Sequence, residues 1–162
     1  MKFRCTHLRS FMLKGCFLLA VLAFHYCGQA QRLTKREEKF YQQEILKYIN
    51  QYRSNKGKGA LELDDNLNAI AYRHSRDMSS GNVAFGHDGF DDRMAKVRKY
   101  NPRLAGFAEN VAAGMQSPRE VSADWYGSSG HRRNLLGDYI LTGIGVERGS
   151  DGELYFTQVF VK

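Results

Sequence analysis

The apolar residues of this chain change their spacing along its length, and that change limits the folds open to it. As far as Trp125 they recur mainly at helical spacing, and from Leu141 onward they alternate as strands do. Between Glu37 and Arg53, the positions Tyr41, Ile45, Tyr48, Ile49 and Tyr52 share one helix face, and Asn55-Lys-Gly-Lys-Gly59 ends the run. A second helix is predicted after Leu61-Glu-Leu63, with Asp64 as its N-cap and a stripe of Leu67, Ile70, Ala71, His74 and Met78. Ser80-Gly81-Asn82 stops it, and a shorter helix from Asp91 to Tyr100 runs into Asn101-Pro102. Ser117-Pro118-Arg119-Glu120 reads as a capping box with Pro at the first helical position, opening a helix that carries Val121 and Trp125. Leu141 to Arg148 and Glu153 to Val161 flank Gly149-Ser-Asp-Gly152 as a hairpin, and Val111 to Ala113 supplies a third strand. A sheet this small needs cover. Helices around it predict an α+β domain, an α-β-α sandwich with a small antiparallel sheet.

The first thirty residues read differently. Lys2, Arg4, Arg9 and Lys14 stand there without any Asp or Glu, then come an apolar run from Cys16 to Phe24 and the small-residue exit Gly28-Gln29-Ala30. A basic head, a short apolar middle and a small-residue exit are the parts of a secretory signal, and nine apolar residues are too few for a comfortable membrane span. The basic head is long, and a start at Met12 would give a more ordinary signal. Residues 1–30 are therefore assigned to a signal peptide, 31–36 to a flexible start and 37–162 to one domain. The product is expected outside the cell, or in the periplasm of a Gram-negative bacterium, with no transmembrane segment after cleavage.

Cleavage changes the charge and thiol inventory. The whole chain of 162 residues carries a formal +7, but four of its 24 basic residues leave with the signal, so 20 then face 17 acidic ones, a charge of about +3. That weakens the case for nucleic acid, and no nucleic-acid partner is expected. Cys5, Cys16 and Cys27 all lie in the first thirty residues, so no disulfide remains to hold the fold. About 130 residues suffice for a core that holds unaided.

Three histidines remain after cleavage: His74, His87 and His131. His74 lies on the apolar stripe of the second helix and reads as structural. His87 sits in Phe85-Gly-His-Asp-Gly89, and His131 in the small-residue turn Ser128-Ser-Gly-His131. Glu109 stands between Phe107-Ala108 and Asn110-Val-Ala-Ala-Gly114, so it should be half buried, and a buried carboxylate needs a partner. Two imidazoles and a carboxylate can bind a divalent ion, but three separate segments would have to converge. Spacing alone leaves solvated loop histidines as the alternative.

The motifs in their order resemble the CAP superfamily, the cysteine-rich secretory, antigen 5 and pathogenesis-related 1 proteins with their SCP domain, in its compact disulfide-free branch common in bacteria. The resemblance runs over residues 40 to 162. It rests on Leu61-x-Leu63-Asp64-x-x-Leu67, Ala71-x-x-His74-Ser75-x-Asp77-Met78, Phe85-Gly-His87 and Ala108-Glu109-Asn110-Val111-Ala112. It continues through Trp125-x-x-Ser128-x-Gly130-His131-Arg132-x-Asn134, Gly143-Ile-Gly-Val146 and Tyr155-Phe-Thr-Gln158-Val-Phe160. It implies an α-β-α sandwich whose cleft holds His87, Glu109 and His131 as metal ligands, with zinc as the cofactor.

The family's second cleft glutamate falls where this chain has Ser128. A hydrolase built on metal-bound water wants a general base, and Ser128 is none. A Ser128 or Ser129 nucleophile working with His131 and Glu109 is disfavoured, because both serines share one turn with His131. The expectation is a secreted binding module for a lipid, sterol or protein ligand. The alternatives are a metal-assisted hydrolase or peptidase, and a structural protein of an envelope or matrix. Among the other motif residues, Asn110 and Asn134 are expected to fix turns, Trp125, Leu154, Phe156 and Phe160 to build the core, and Gln158 to pack there or to hydrogen-bond a cleft residue.

Overall fold

The computed structural model describes residues 31–162. The assigned signal peptide lies outside the described residues. The chain runs α1 (Lys35–Ser54), β1 (Glu62–Leu63), α2 (Asp65–Ser79), α3 (Phe90–Tyr100), β2 (Phe107–Ala113), α4 (Pro118–Gly127), α5 (Ser129–Leu135), β3 (Leu141–Arg148) and β4 (Leu154–Val161). Strand order is β1-β3-β4-β2, antiparallel except for β1, whose two residues pair parallel to Leu141 and Thr142 of β3.

Local chemistry sets the helix starts. Thr34 and Glu37 close a capping box on α1, Asp64 accepts from the Leu67 N–H at the start of α2, and Ser117 accepts from the Glu120 N–H ahead of Pro118 in α4. The second strand is longer than expected, beginning at Phe107 rather than Val111, so Glu109 and Asn110 are strand residues. The predicted turn around His131 is instead the short helix α5, with Ser128 as its N-cap.

Side-chain alternation along the strands sends residues to two separate cores. Ala108, Ala112, Ile144, Val146, Phe156 and Phe160 face α1, α4 and α5, packing with Ile45, Ile49, Val121, Trp125 and Leu135. Val159 and Val161 face the other way, onto Leu67 and Ala71 of α2 and Val97 of α3. The sandwich is thus α-β-α. Each fully buried Leu, Ile, Phe or Val contributes about 1.5–3 kcal/mol.

Two glycines set the spacing between α2 and β3. A Cβ on Gly143 would lie 2.1 Å from the Leu67 carbonyl carbon, and one on Gly145 2.1 Å from the Tyr72 nitrogen. The helix backbone therefore rests directly on the strand. Beyond Thr142, β3 has no strand on its outer side among the described residues, and side chains serve its backbone there. Asn68 Oδ1 accepts from the Ile144 N–H at 2.9 Å, and Gln42 Nε2 donates to the Ile144 carbonyl at 3.0 Å.

Arg53 is the most buried cation among the described residues, at 2% exposure. Its guanidinium donates to the carbonyls of Gly59, Leu135, Gly137 and Tyr139 at 2.7, 2.7, 2.9 and 3.3 Å. It pins the end of α5, and the loop after it, to α1.

Candidate functional site

The site forms where the α2–α3 loop, β2 and α5 meet. Glu109 lies on the α2/α3 side of the sheet, its side chain fully shielded. Its neighbour Asn110 points the other way and donates to the His131 carbonyl at 3.2 Å. Asn134 donates to both the Glu109 carbonyl (3.0 Å) and Asn110 Oδ1 (2.9 Å). These two asparagines bind α5 to the strand at Glu109 and Asn110. They bridge elements instead of closing turns.

A buried carboxylate requires a charge partner, and here it is Arg93 from the first turn of α3. Nε donates to Oε2 at 2.6 Å and Nη2 to Oε1 at 2.7 Å, a two-pronged ion pair. Nη1 donates to the Asp88 carbonyl at 2.8 Å and to His74 Nδ1 at 3.2 Å, and Nη2 also reaches the His87 carbonyl at 3.3 Å. All five guanidinium N–H groups are engaged. The same contacts clamp the loop that carries His87, where Gly86 and Gly89 hold positive φ of 143° and 76°.

His87 joins this group directly, with Nδ1 2.9 Å from Glu109 Oε1. An ionised carboxylate only accepts, so the proton of that bond sits on Nδ1 and the other ring nitrogen, Nε2, is left for the cleft. The ring is half exposed. His74 is buried as its helical stripe predicts. Its Nδ1 accepts from Arg93, so its Nε2 carries the proton and bonds the Gly86 carbonyl at 2.8 Å. Burial is the chief cause that lowers its pKa, and the Arg93 charge adds to it, while the Gly86 bond opposes.

His131 lies on α5, and burial is the chief cause that lowers its pKa, with Asp124 opposing. Among the described residues its Nδ1 is buried without a hydrogen-bond partner. Ser128 Oγ is the cap that accepts from the His131 backbone N–H at 3.5 Å, a structural use of that hydroxyl. Among the described residues Gln158 makes no bond to a cleft residue. Its Nε2 donates to Thr142 Oγ1 at 3.0 Å, inside the core.

Of the three residues singled out in the sequence, His87 and Glu109 therefore touch, while the structure ties His131 to β2 through its backbone carbonyl, bonded to Asn110, and not through its ring. Among the described residues, no three His, Cys, Asp or Glu side chains come together as a ready-made set of metal ligands. Arg93 is the site residue that sequence reading missed. Its signal was present: Arg93 and Val97 are four apart, which puts a cation on the apolar face of α3, and the Glu in the apolar run was in want of a partner.

Comparison with known proteins agrees with the fold. The profile of the cysteine-rich secretory protein family, CAP, matches residues 46–160. YkwD of Bacillus subtilis (strain 168) is 33% identical over 125 residues, which are 75% of this chain and 47% of that protein. The membrane protein YlbC of the same organism is 32% identical over 126 residues, covering 75% of this chain and 34% of its own length. The chain thus spans about half, or less, of these relatives. An SCP-domain extracellular protein of Bacillus anthracis str. Ames is 29% identical in sequence, with a TM-score of 0.61 over 80% of this chain and 44% of that one. An outer surface protein of Borrelia burgdorferi shares the fold at a TM-score of 0.69 and 21% identity, over 82% of this chain and 98% of its own. An α-β-α sandwich of this topology, with the family's profile along most of its length, makes this chain a member of the CAP family.

Proposed function

We propose that the protein works outside the cell as a CAP-domain binding module whose cleft takes a divalent ion between His87 and His131. Zinc fits two imidazole donors, and its remaining positions would be left to water or ligand. When bound, the ion supplies a Lewis-acidic anchor for an oxygen or carboxylate of the ligand. The single observation that carries this reading is the buried Nδ1 of His131, a polar atom with no donor or acceptor among the described residues to satisfy it.

Glu109 takes the orienting role in this reading. Arg93 and His87 already engage both of its oxygens. Such a carboxylate fixes a ligating histidine from behind instead of coordinating the ion itself. The same engagement disfavours Glu109 as the general base of a hydrolase. Phe85, two residues from His87 in the chain, presents an exposed apolar ring, 57% accessible. That supports a ligand with an apolar part, a lipid or a sterol. Extracellular placement draws support from the signal-like first thirty residues and from the outer-surface and extracellular proteins that share the fold. Among the described residues no helix is long and apolar enough to cross a membrane.

Zinc titration by calorimetry tests the reading. We expect one site in the wild type, lost in His87→Ala and in His131→Ala. Binding should also weaken on acidification, because protonated imidazole cannot coordinate. Equal zinc affinity in all three proteins would refute the site. Native mass spectrometry that finds a co-purified lipid on the wild type would identify the ligand class.

A further inference from the structure

We propose that Arg93 is a positioning residue: acting through Glu109, it sets which nitrogen of His87 faces the cleft. This rests on the reading of the cleft given above, but the state of the ring can be read without any metal.

A buried carboxylate held by one histidine alone could turn about its terminal torsion, which is broad and shallow. Here it cannot. Arg93 grips both oxygens, at 2.6 and 2.7 Å, so the oxygen that meets His87 is fixed in place and direction. Arg93 is itself fixed at its far end. Nη1 donates to His74 Nδ1 at 3.2 Å and to the Asp88 carbonyl at 2.8 Å, and His74 is fastened in turn to the Gly86 carbonyl at 2.8 Å. The chain His74–Arg93–Glu109–His87 therefore starts and ends on the one loop, Gly86 to Asp88. The arrangement offers His87 Nδ1 a single rigid acceptor, and an imidazole that donates from Nδ1 keeps its Nε2 lone pair free. Balancing the charge of a buried Glu would need only one cation. The fork and the second anchor on His74 go beyond that need, and they define a direction.

The test separates direction from charge. Arg93→Lys keeps the cation but cannot span both oxygens, Arg93→Met removes both features, and His74→Asn retains an acceptor for Arg93. Long-range proton–nitrogen spectra of the metal-free full chain at pH 8 report the proton position on each ring. We expect a single Nδ1–H form of His87 in the wild type and in His74→Asn. Both tautomers should be populated in Arg93→Lys and Arg93→Met, with zinc affinity lowered about 10–100-fold. Should Arg93→Met fail to fold, Arg93→Lys carries the test. Folded Arg93 variants whose His87 keeps the wild-type spectrum would overturn the proposal, even if zinc still bound between the histidines. A tautomer change in a protein that binds no zinc would uphold Arg93 and overturn the metal reading instead.

Discussion

Replacing Gly145 by alanine should be among the most damaging one-methyl changes available to this fold. The new Cβ would lie 2.1 Å from the Tyr72 nitrogen, 2.2 Å from the Ala71 carbonyl carbon and 2.4 Å from the Tyr72 Cα. All three are backbone atoms, so no rotamer change relieves the clash. Restoring an ordinary contact of 3.4 Å requires α2 to move away from β3 by about 1.3 Å. Overpacking of that kind costs about 1–3 kcal/mol. The retreat also stretches two buried bonds, Asn68 Oδ1 to the Ile144 N–H (2.9 Å) and Ser75 Oγ to the Gly145 carbonyl (3.1 Å). Each is worth about 1 kcal/mol. A total of about 3–5 kcal/mol is a large part of the ~5–15 kcal/mol that a domain has. For a domain of this size it lowers Tm by on the order of 10–20 °C. Urea unfolding of Gly145→Ala against Gly59→Ala measures it, because a Cβ at Gly59 meets nothing within 4 Å. There alanine should be neutral or stabilise by about 0.4–1 kcal/mol. A Gly145→Ala protein within about 0.5 kcal/mol of wild type would refute the claim that α2 rests backbone-on-strand.

Arg53→Met should cost about 3–5 kcal/mol in urea unfolding, since four carbonyls lose a charged donor and three of them lie in the chain that follows α5 or at its end. An unchanged midpoint would show that water replaces the guanidinium freely. Stability should also fall on mild acidification. His74 and His131 both have pKa values lowered in the folded state. The unfolded chain therefore binds protons first, and the stabilisation that is complete above about pH 6.5 is lost as pH drops below it. The slope is at most about 1.4 kcal/mol per pH unit for each histidine. Urea midpoints at pH 7.5 and 5.5 measure it, and equal midpoints would show that neither ring is held neutral.

Helices α1, α2 and α4 were legible because each carried its own signal: a stripe for α1 and α2, an N-cap at Asp64, a capping-box pattern at Ser117. What escaped the sequence lacked such a signal. β1 has only two residues, too few to show a period. The first half of β2 was hidden because Glu109 and Asn110 look out of place in a strand, and only their partners Arg93 and Asn134, distant in sequence, make them fit. α5 has seven residues and includes Gly130, so it presented no stripe and read as a turn. The pairing of His87 with Glu109 came from family resemblance, since their spacing of 22 residues carries no information by itself. Arg93 was masked because the other cations of α3 are surface residues, and only its four-residue spacing from Val97 marked it as the inward one.

Anomalous diffraction at the zinc edge from crystals of the zinc-loaded protein tests the cleft most directly. We expect one strong peak shared by the His87 and His131 rings, with Glu109 still gripped by Arg93 and bonded to His87 Nδ1. A peak on the Glu109 carboxylate with Arg93 displaced, or zinc found only elsewhere on the molecule, would contradict the assignment.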